Sequence, residues 1–501
     1  MTARVAIIGG GISGLTALEH LTRVNPALQV TLLEASPRIG GHIRTERSGG
    51  FLMEAGPDVI LAAKPAAVEL ARRVGLGERL QGTNPAAKGS YILSGKRLFP
   101  MPDGLTGLVP SRFAPFATTP LVSPLGKLRV GMEYFIPPQR NAPDESIERF
   151  VTRRLGREMY ERLVEPLLSG ISAGDGARLS MEAMFPQLRA YEREHGGLVK
   201  GMLATKRKQR AARKAASPGA AAPGQPPRQP AFGFLSFPGG LEELVEGIRR
   251  EVRRRDPAGK TAVIRTGARV ERVDRIGTGH DDAPEFVVTL ANGEQLAVDA
   301  VILATPAYHS AALIRSVDEE LASALRAIEY ASTVTISVAY PDAAVPRTLD
   351  ASGYVVPRIQ GRPVLACTWV SSKFEGRSPA GHALFRLFLG GAGRGSFVER
   401  SDEELLGVVR DEMREIMGIT AEPELVQINR FDRAMPQYHV GHLDRTAAIR
   451  ALAARNPGVS VAGAAIGGVG IPDCVKSGVR AAEEVLETLG RMHPSELGNV
   501  N

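Results

Sequence analysis

Cysteine is nearly missing from this sequence: Cys367 and Cys474 are the only two among 501 residues. Two thiols that far apart supply neither a disulfide framework nor a metal-ligand spacing, and they fit a reducing compartment such as the cytoplasm. Aromatic residues are scarce too, at 5% with a single tryptophan, which argues against an aromatic cage for an amine. No run of about 18 consecutive apolar residues occurs, so no segment is expected to span a bilayer; peripheral contact with one is left open. The chain passes from Met1-Thr2-Ala3-Arg4 straight into Val5-Ala6-Ile7-Ile8 without a charged n-region or a small-residue cleavage site, which reads as the absence of a secretory leader. A Ser/His/Asp spacing, a cysteine nucleophile motif and a metal-ligand cluster are also missing.

Glycine, by contrast, is plentiful. The 55 glycines and 35 prolines exceed the roughly 12% that the pair contributes to an average chain. At about 150 residues per domain the length suggests two or three domains, and 43% apolar with 23% charged residues is ordinary for a globular protein. The net charge of +8 admits anionic partners without selecting one.

The first glycines sit between a β-branched run and a helical pattern. Val5 to Ile8 reads as a strand, Gly9-Gly10-Gly11 as a turn, residues 12–21 as a helix, and residues 29–33 as a second strand ending at Glu34. Gly9-x-Gly11-x-x-Gly14 is then a dinucleotide-binding turn, its glycines serving a tight bend, bare backbone beside a pyrophosphate, and close packing of helix on strand. Backbone amides of this turn and of Ile12 and Ser13, at the positive end of the helix, would hold the pyrophosphate. Glu34, followed by Ala35, would accept hydrogen bonds from the ribose hydroxyls. Near the other end, a strand at residues 459–462 leads through Gly463 and Gly467-Gly468-Val469-Gly470-Ile471 to a last helix over residues 474–489, again serving a helix N-terminus with glycines.

Between these ends, residues 144–168 follow a helical period, and helical patches continue to about residue 203. Residues 204–230 change character, with six basic residues from Lys206 to Lys214 and then a proline, glycine and alanine tract that cannot pack a core. This segment reads as a surface linker, with a basic tether to acidic lipid heads as the sharper option. No aromatics interleave its charges, so nucleic acid is not an expected partner. Further on come a helix at 241–255, a strand at 263–273, and a hairpin of 286–290 with 295–298 through Asn292-Gly293. A strand at 301–304, alternating segments at 333–340, 364–370 and 383–389 for a second sheet, and a helix at 402–417 complete the reading.

Arg38-Ile39-Gly40-Gly41-His42-Ile43-Arg44-Thr45 resembles the second flavin signature of the amine-oxidase-like flavoproteins, and that resemblance selects FAD among the dinucleotides. It implies that Gly40 and Gly41 pass close to the diphosphate and ribityl chain, with His42 beside them and Arg38 as a nearby cation. It also places the Gly56-Pro57-Asp58 turn near the isoalloxazine and the backbone of Val270 against the adenine. The helix after Val469, Gly470 and Ile471 would face the pyrimidine end, where its dipole favours negative charge on the reduced flavin.

Over nearly its whole length the chain is similar to the porphyrinogen oxidases of haem biosynthesis. The resemblance is carried by Glu165-Pro-Leu-Leu-Ser-Gly-Ile-Ser-Ala-Gly-Asp175, Leu179-Ser180, Phe185-Pro186, Phe237-Pro-Gly-Gly-Leu241, Met435-Pro-Gln-Tyr438 with Gly441-His442, and Gly470-Ile-Pro-Asp-Cys474. It implies an α/β protein with a Rossmann-like FAD-binding domain (residues 1–80, 233–310 and 432–490), a mixed-sheet substrate domain (81–91 and 311–431), a helical insertion (92–203) with membrane contact as an option, and a linker (204–231). The implied reaction removes six electrons from a porphyrinogen in three two-electron rounds, each passing a hydride to the flavin, with dioxygen returning as hydrogen peroxide. Gly170 matches the family's glycine near flavin N5, where a side chain would block approach; its plainer reading is a helix C-cap.

Two substrates remain open. Ser90 stands where the protoporphyrinogen branch usually places an arginine, and Leu98-Phe-Pro-Met-Pro102 with the segments 116–119 and 135–138 reads more like the coproporphyrinogen III branch. Lys64 could serve one of the substrate carboxylates. Phe431 stands where a tryptophan near the flavin is common, which is a departure from the pattern. The pathway implies hand-off of product to a ferrochelatase. Another amine-oxidase-like flavoenzyme, or a porphyrin carrier on the same fold, is the more distant alternative.

Overall fold

The computed structural model describes residues 3–102, 104–106, 109–110, 113–215, 233–277, 285–394 and 396–492. From the N-terminus the principal elements are β1 (Arg4–Ile8), α1 (Ile12–Val24) and β2 (Gln29–Leu33). There follow β3 (Tyr91–Ser94), β4 (Arg97–Pro100), α2 (Pro124–Gly131), α3 (Glu165–Ser172) and α4 (Leu198–Ala215). Next come β5 (Ala262–Arg265), β6 (Val270–Arg275), β7 (Phe286–Leu290), β8 (Gln295–Val298) and β9 (Ala300–Leu303). Strands β10 (Tyr330–Pro341), β11 (Gly353–Val355), β12 (Val364–Trp369) and β13 (His382–Gly390) precede α5 (Asp402–Glu412) and β14 (Leu425–Pro436). The chain closes on β15 (Val459–Val461) and α6 (Ile471–Met492).

These elements form two compact units, residues 1–83, 231–329 and 444–501 in the first, and residues 84–230 and 330–443 in the second. The first unit is built on a sheet of order β5-β2-β1-β9-β15 in which every pairing is parallel. Val5, Ala6, Ile7 and Ile8 are all buried, as a strand covered by helices on both faces requires. Helix α1 turns Leu15, Leu18 and Leu21 into this core and packs along α6. All five strands therefore end at one edge, the place where open parallel sheets bind ligands.

A single strand expected over residues 263–273 is instead two strands of two sheets. Gly267, with φ +66°, breaks the run: β5 stays in the parallel sheet and β6 joins the antiparallel order β6-β7-β8. The β7–β8 hairpin turns at Gly293, φ +83°, as its Asn-Gly sequence predicts.

The second unit carries a mixed sheet of order β14-β10-β13-β12-β11-β3-β4. Only β3 and β11 run parallel. One face, with Val334, Ile336, Val338, Phe385, Leu387 and Leu389, joins Leu405 and Val409 of α5 in an apolar core. The opposite face is mixed: buried Ser337 and half-buried Thr368 flank buried Arg386 across the ladders, buried Thr335 faces Asn429, and Leu384 and Phe388 share the face. Because β3 and β4 extend this sheet, the helical insertion expected at 92–203 falls in one unit with the sheet, whereas residues 311–329 join the first unit and 432–443 the second. The linker expected from residue 204 is helical as far as Ala215, since alanine, lysine and arginine are strong helix formers; residues 216–230 lie outside the described residues. Among the described residues no helix is long and apolar enough to cross a membrane, and no cluster of potential metal ligands occurs.

Candidate cofactor site

The carboxyl edge of the parallel sheet gathers most of the glycines singled out above. Gly9 leaves β1 with φ +112°, and a Cβ there would come within 2.8 Å of the Ala304 carbonyl carbon and oxygen at the end of β9. A Cβ at Gly14 would collide with the Gly9 carbonyl oxygen, so this glycine lets α1 lie against the turn. Gly11 is different: a Cβ would meet nothing within 4 Å. The helix opens on Gly11 without a side-chain cap, and its first internal bond is Leu15 N–H to Gly11 O at 2.9 Å. The amides of Ile12, Ser13 and Gly14 thus precede the helical ladder. Open space, unladdered amides and the positive helix end suit an anionic diphosphate.

Glu34 is set rigidly at the end of β2. Its Oε2 accepts from the Gly10 amide at 2.7 Å and its Oε1 from the Ser36 amide at 2.8 Å, and the remaining lone pairs can receive ribose hydroxyls. Ala35 beside it is exposed. Val270 is brought to the same corner, because the Gly267 amide donates to Ser36 O and the Ala268 amide to Glu34 O, each at 2.9 Å. These residues fit an adenosine end.

The second glycine pair docks on the first turn. Gly40 and Gly41 have φ +107° and +57°, the Gly40 amide donates to Gly10 O at 2.8 Å, and a Cβ on Gly41 would stand 3.1 Å from Gly11 Cα. Arg38 wraps this loop, donating to the carbonyls of Ile39 at 2.8 Å, Ile43 at 3.2 Å and Gly41 at 2.5 Å. Its charge lies beside the turn while those donors brace it. His42 is exposed, yet desolvation by the surrounding chain, and then the Arg38 charge, lowers its pKa, which favours the neutral imidazole. Gly56 admits no side chain, since a Cβ would strike the His42 carbonyl; Pro57 and Asp58 follow it half-buried.

Sequence reasoning missed Glu54, a buried acid that ties two motifs together. It accepts from the Thr45 hydroxyl at 2.9 Å and from the Leu241 amide at 2.7 Å. An acid in the apolar run Phe51-Leu52-Met53-Glu54 was the available signal. Gly478 was missed too: it lets α6 lie against the Ser13 carbonyl of α1, while the Ser13 hydroxyl donates to Cys474 O at 3.0 Å. The Ser13 side chain therefore serves helix packing, leaving its amide for a ligand. Gly463, φ +122°, ends β15 with its amide on Ser477 Oγ at 3.1 Å. Val469 and Gly470 are half-buried and Ile471 buried, and Gly470 O accepts the Asp473 and Cys474 amides, both at 2.9 Å, as α6 begins.

The other expected residues are Lys64, Gly170, Ser90 and Phe431. Lys64 forms an ion pair with Asp473 at 2.6 Å. Gly170, Ser90 and Phe431 belong to the second unit. Ser90 precedes β3 and its carbonyl accepts the Met101 amide at 2.9 Å, and Phe431 lies on β14 opposite Thr333. Gly170 is not a C-cap: it is inside α3, which ends at Ala173 in the left-handed conformation.

Comparison with known proteins follows the same lines. The flavin containing amine oxidoreductase family matches residues 12–486. A coproporphyrinogen III oxidase of Bacillus subtilis is 35% identical over 97% of this chain and 98% of its own, and one of Staphylococcus aureus is 34% identical over 98% and 100%. The chloroplastic protoporphyrinogen oxidase 1 of Arabidopsis thaliana is 29% identical over 98% of this chain and 89% of its own. A solved structure from Exiguobacterium sp. 255-15 superposes with TM-score 0.80 at 31% identity, covering 97% of this chain and 99% of that one.

Proposed function

Because the chain belongs to the flavin containing amine oxidoreductases, in the group that includes bacterial coproporphyrinogen III oxidases, we propose that it oxidises coproporphyrinogen III to coproporphyrin III. FAD, when bound, supplies the two-electron acceptor for each of three rounds and passes the electrons to dioxygen, which leaves as hydrogen peroxide. What carries this reading is the near full-length likeness to the bacterial enzymes together with the cradle on the sheet edge, where the uncapped start of α1, the open side of Gly11 and the fixed Glu34 carboxylate suit the diphosphate and ribose of the cofactor.

In this reading the amides of Ile12, Ser13 and Gly14 hold the diphosphate, Glu34 orients the adenosine ribose, and the Gly40-Gly41 turn braced by Arg38 lets the ribityl chain pass. Neutral His42 adds no charge beside it. The N-terminal turn of α6 faces negative charge with its dipole. Ser337, Arg386 and Thr368, neighbours on one sheet face, supply a cation and hydroxyls for a carboxylate-bearing macrocycle. The 34–35% identity to bacterial coproporphyrinogen III oxidases against 29% to the Arabidopsis protoporphyrinogen oxidase supports this substrate. The porphyrin product would pass to a ferrochelatase. The test is anaerobic: the yellow holoenzyme bleaches when coproporphyrinogen III is added and regains its colour in air, whereas a preparation that binds porphyrin without bleaching contradicts the proposal.

Gly170 keeps the approach to the flavin clear. A Cβ there would touch only Val355 Cγ1 at 3.7 Å, an ordinary contact, and alanine is favoured over glycine in a helix interior by about 1 kcal/mol. Gly170→Ala is therefore expected to melt no lower than the wild type while its turnover falls by about tenfold or more. Unchanged turnover in a folded Gly170→Ala protein would remove this glycine from the mechanism.

Peripheral attachment to an anionic membrane belongs to the same proposal. Leu125 and Leu128 on α2, then Met132 and Phe135, are exposed, Phe135 to 80%. Beside them lies α4, whose Lys200 Nζ sits 4.7 Å from the Tyr134 ring and whose sequence adds Lys206, Arg207, Lys208 and Arg210. An apolar patch with basic neighbours fits an acidic lipid surface. Holoenzyme is expected to sediment with phosphatidylglycerol vesicles and not with phosphatidylcholine vesicles, and Phe135→Asp to abolish this. Equal recovery in both supernatants would contradict it.

A further inference from the structure

The proposed role of Gly170 requires α3 to be held in one rotation and one position, yet nothing in α3 itself does this. Its eight residues are the end of a continuous helical run over 157–172, so its rotation is inherited from the turns before it. It also follows a π-turn over Tyr160–Val164, in which one inserted residue shifts the register of whatever comes after.

Both ends of α3 are instead held by two segments that touch each other, Arg358 and residues 391–394. At the start, Glu165 is buried, and its Oε2 accepts the Arg358 backbone N–H at 2.8 Å. Its Oε1 lies 3.6 Å from Arg358 Nε and 3.7 Å from Arg394 Nη2. At the far end, Ala173 adopts φ +48°, one of two non-glycine residues with positive φ among the described residues. The Ala173 carbonyl accepts the Ala392 amide at 2.7 Å. A Cβ on Gly391 would come within 2.7 Å of that oxygen, so this backbone approach needs glycine. The two holds are joined: Arg358 Nη2 donates to Ala392 O at 3.1 Å, and Arg394, two residues further on, donates to Arg362 O at 3.2 Å.

The ion cluster is a poor device for stability alone. Among the described residues Glu165 Oε1 and Arg394 Nε and Nη2 are buried without a hydrogen-bond partner, and burying this carboxylate and guanidinium beside half-buried Arg358 costs more desolvation than apolar side chains would. Such clusters are best explained where they fix geometry. We propose that Glu165, Arg358 and Arg394 form a positioning clamp that, with Gly391-Ala392, sets α3 so that Gly170 presents its bare backbone to the reaction. The clamp rests on the proposed function for its consequence and on the structure alone for its mechanics.

Two variants of the holoenzyme test it. Glu165→Gln keeps an acceptor for the Arg358 amide and removes the charge between the arginines. Arg394→Met removes one cation and leaves the Arg358–Glu165 hydrogen bond, and serves if the first variant does not fold. In each, the rate of anaerobic flavin reduction at saturating coproporphyrinogen III should fall by about tenfold, with KM within about threefold of wild type. Hydrogen exchange over residues 165–173 should quicken, while exchange in α1, α6 and the β10–β13 pair stays as it was. Wild-type reduction rates in both variants overturn the proposal, as does exchange that rises evenly across the second unit. If the wild-type enzyme is not reduced by coproporphyrinogen III, the proposed function fails, and the local exchange readout still decides the clamp.

Discussion

Gly11→Ala is expected to yield an apoprotein about as stable as the wild type that binds FAD at least about tenfold more weakly, whereas Gly14→Ala is expected to damage the apoprotein itself. The two glycines lie three residues apart in one motif, and their surroundings differ. At Gly11 a methyl group enters open space and the backbone φ of −72° is available to any residue. Replacing an N-cap glycine with alanine costs about 1 kcal/mol at most. The same methyl fills the volume proposed for the diphosphate, so its effect appears on ligand affinity. At Gly14 the methyl meets the Gly9 carbonyl, in the bend that fixes α1 on β1, and overpacking of this kind costs about 1–3 kcal/mol or more. Differential scanning of the two apoproteins, with FAD titration of each, separates the effects. Equal apoprotein melting for both variants, or unchanged FAD affinity in Gly11→Ala, would show that the cradle is assigned to the wrong surface.

The second large effect is expected in the helical part of the second unit, where Glu192 is fully buried among arginines. It accepts from Arg153 Nη1 at 2.7 Å and Nη2 at 3.0 Å, from Arg189 Nη1 at 2.5 Å and from the Gln139 amide at 3.1 Å, with Arg154 Nη1 at 3.5 Å. Removing one member of a buried set leaves its partners uncompensated, so Glu192→Ala should lose about 3–5 kcal/mol. Arg315→Ala, which breaks the exposed Arg315–Glu319 pair, should lose less than about 1 kcal/mol. Burial raises the Glu192 pKa, but the Arg153 bonds and the Gln139 amide overrule it and the net shift is downward. A carboxylate with a lowered folded-state pKa contributes stability that is full above the ordinary glutamate range and lost as pH falls through the folded value. Urea unfolding at neutral pH and again below that range checks both statements. A loss under about 1 kcal/mol in Glu192→Ala would mean that the network carries no net stability.

Local features were the legible ones. The Gly9 to Gly14 turn, Glu34 and the Gly40-Gly41 pair are specified by residues close in sequence, and the structure assembles them on one edge. Long-range pairing was less accessible. Lys64 reads as a candidate for a substrate carboxylate, and nothing nearby in sequence announces its neighbour Asp473, 409 positions away, while β3 and β4 join a sheet whose other strands begin more than 200 residues later. Gly267 split a run that looks continuous because β-branched residues flank it on both sides. Residues 204–215 read as a linker by charge, yet the same lysines, arginines and alanines favour helix, and propensity prevailed. Glu54 escaped notice because a lone acid in an apolar strand announces burial only once Thr45 and Leu241 are known to meet it.

The central claim is the substrate, and competition between porphyrinogens tests it most directly. Coproporphyrinogen III and protoporphyrinogen IX are supplied to the same holoenzyme in air and porphyrin fluorescence gives kcat/KM for each. The account predicts that coproporphyrinogen III is preferred by about tenfold or more, equivalent to about 1.4 kcal/mol of transition-state stabilisation. A preference of that size for protoporphyrinogen IX would contradict it and return Ser90 and the Arg386 sheet face to the protoporphyrinogen reading.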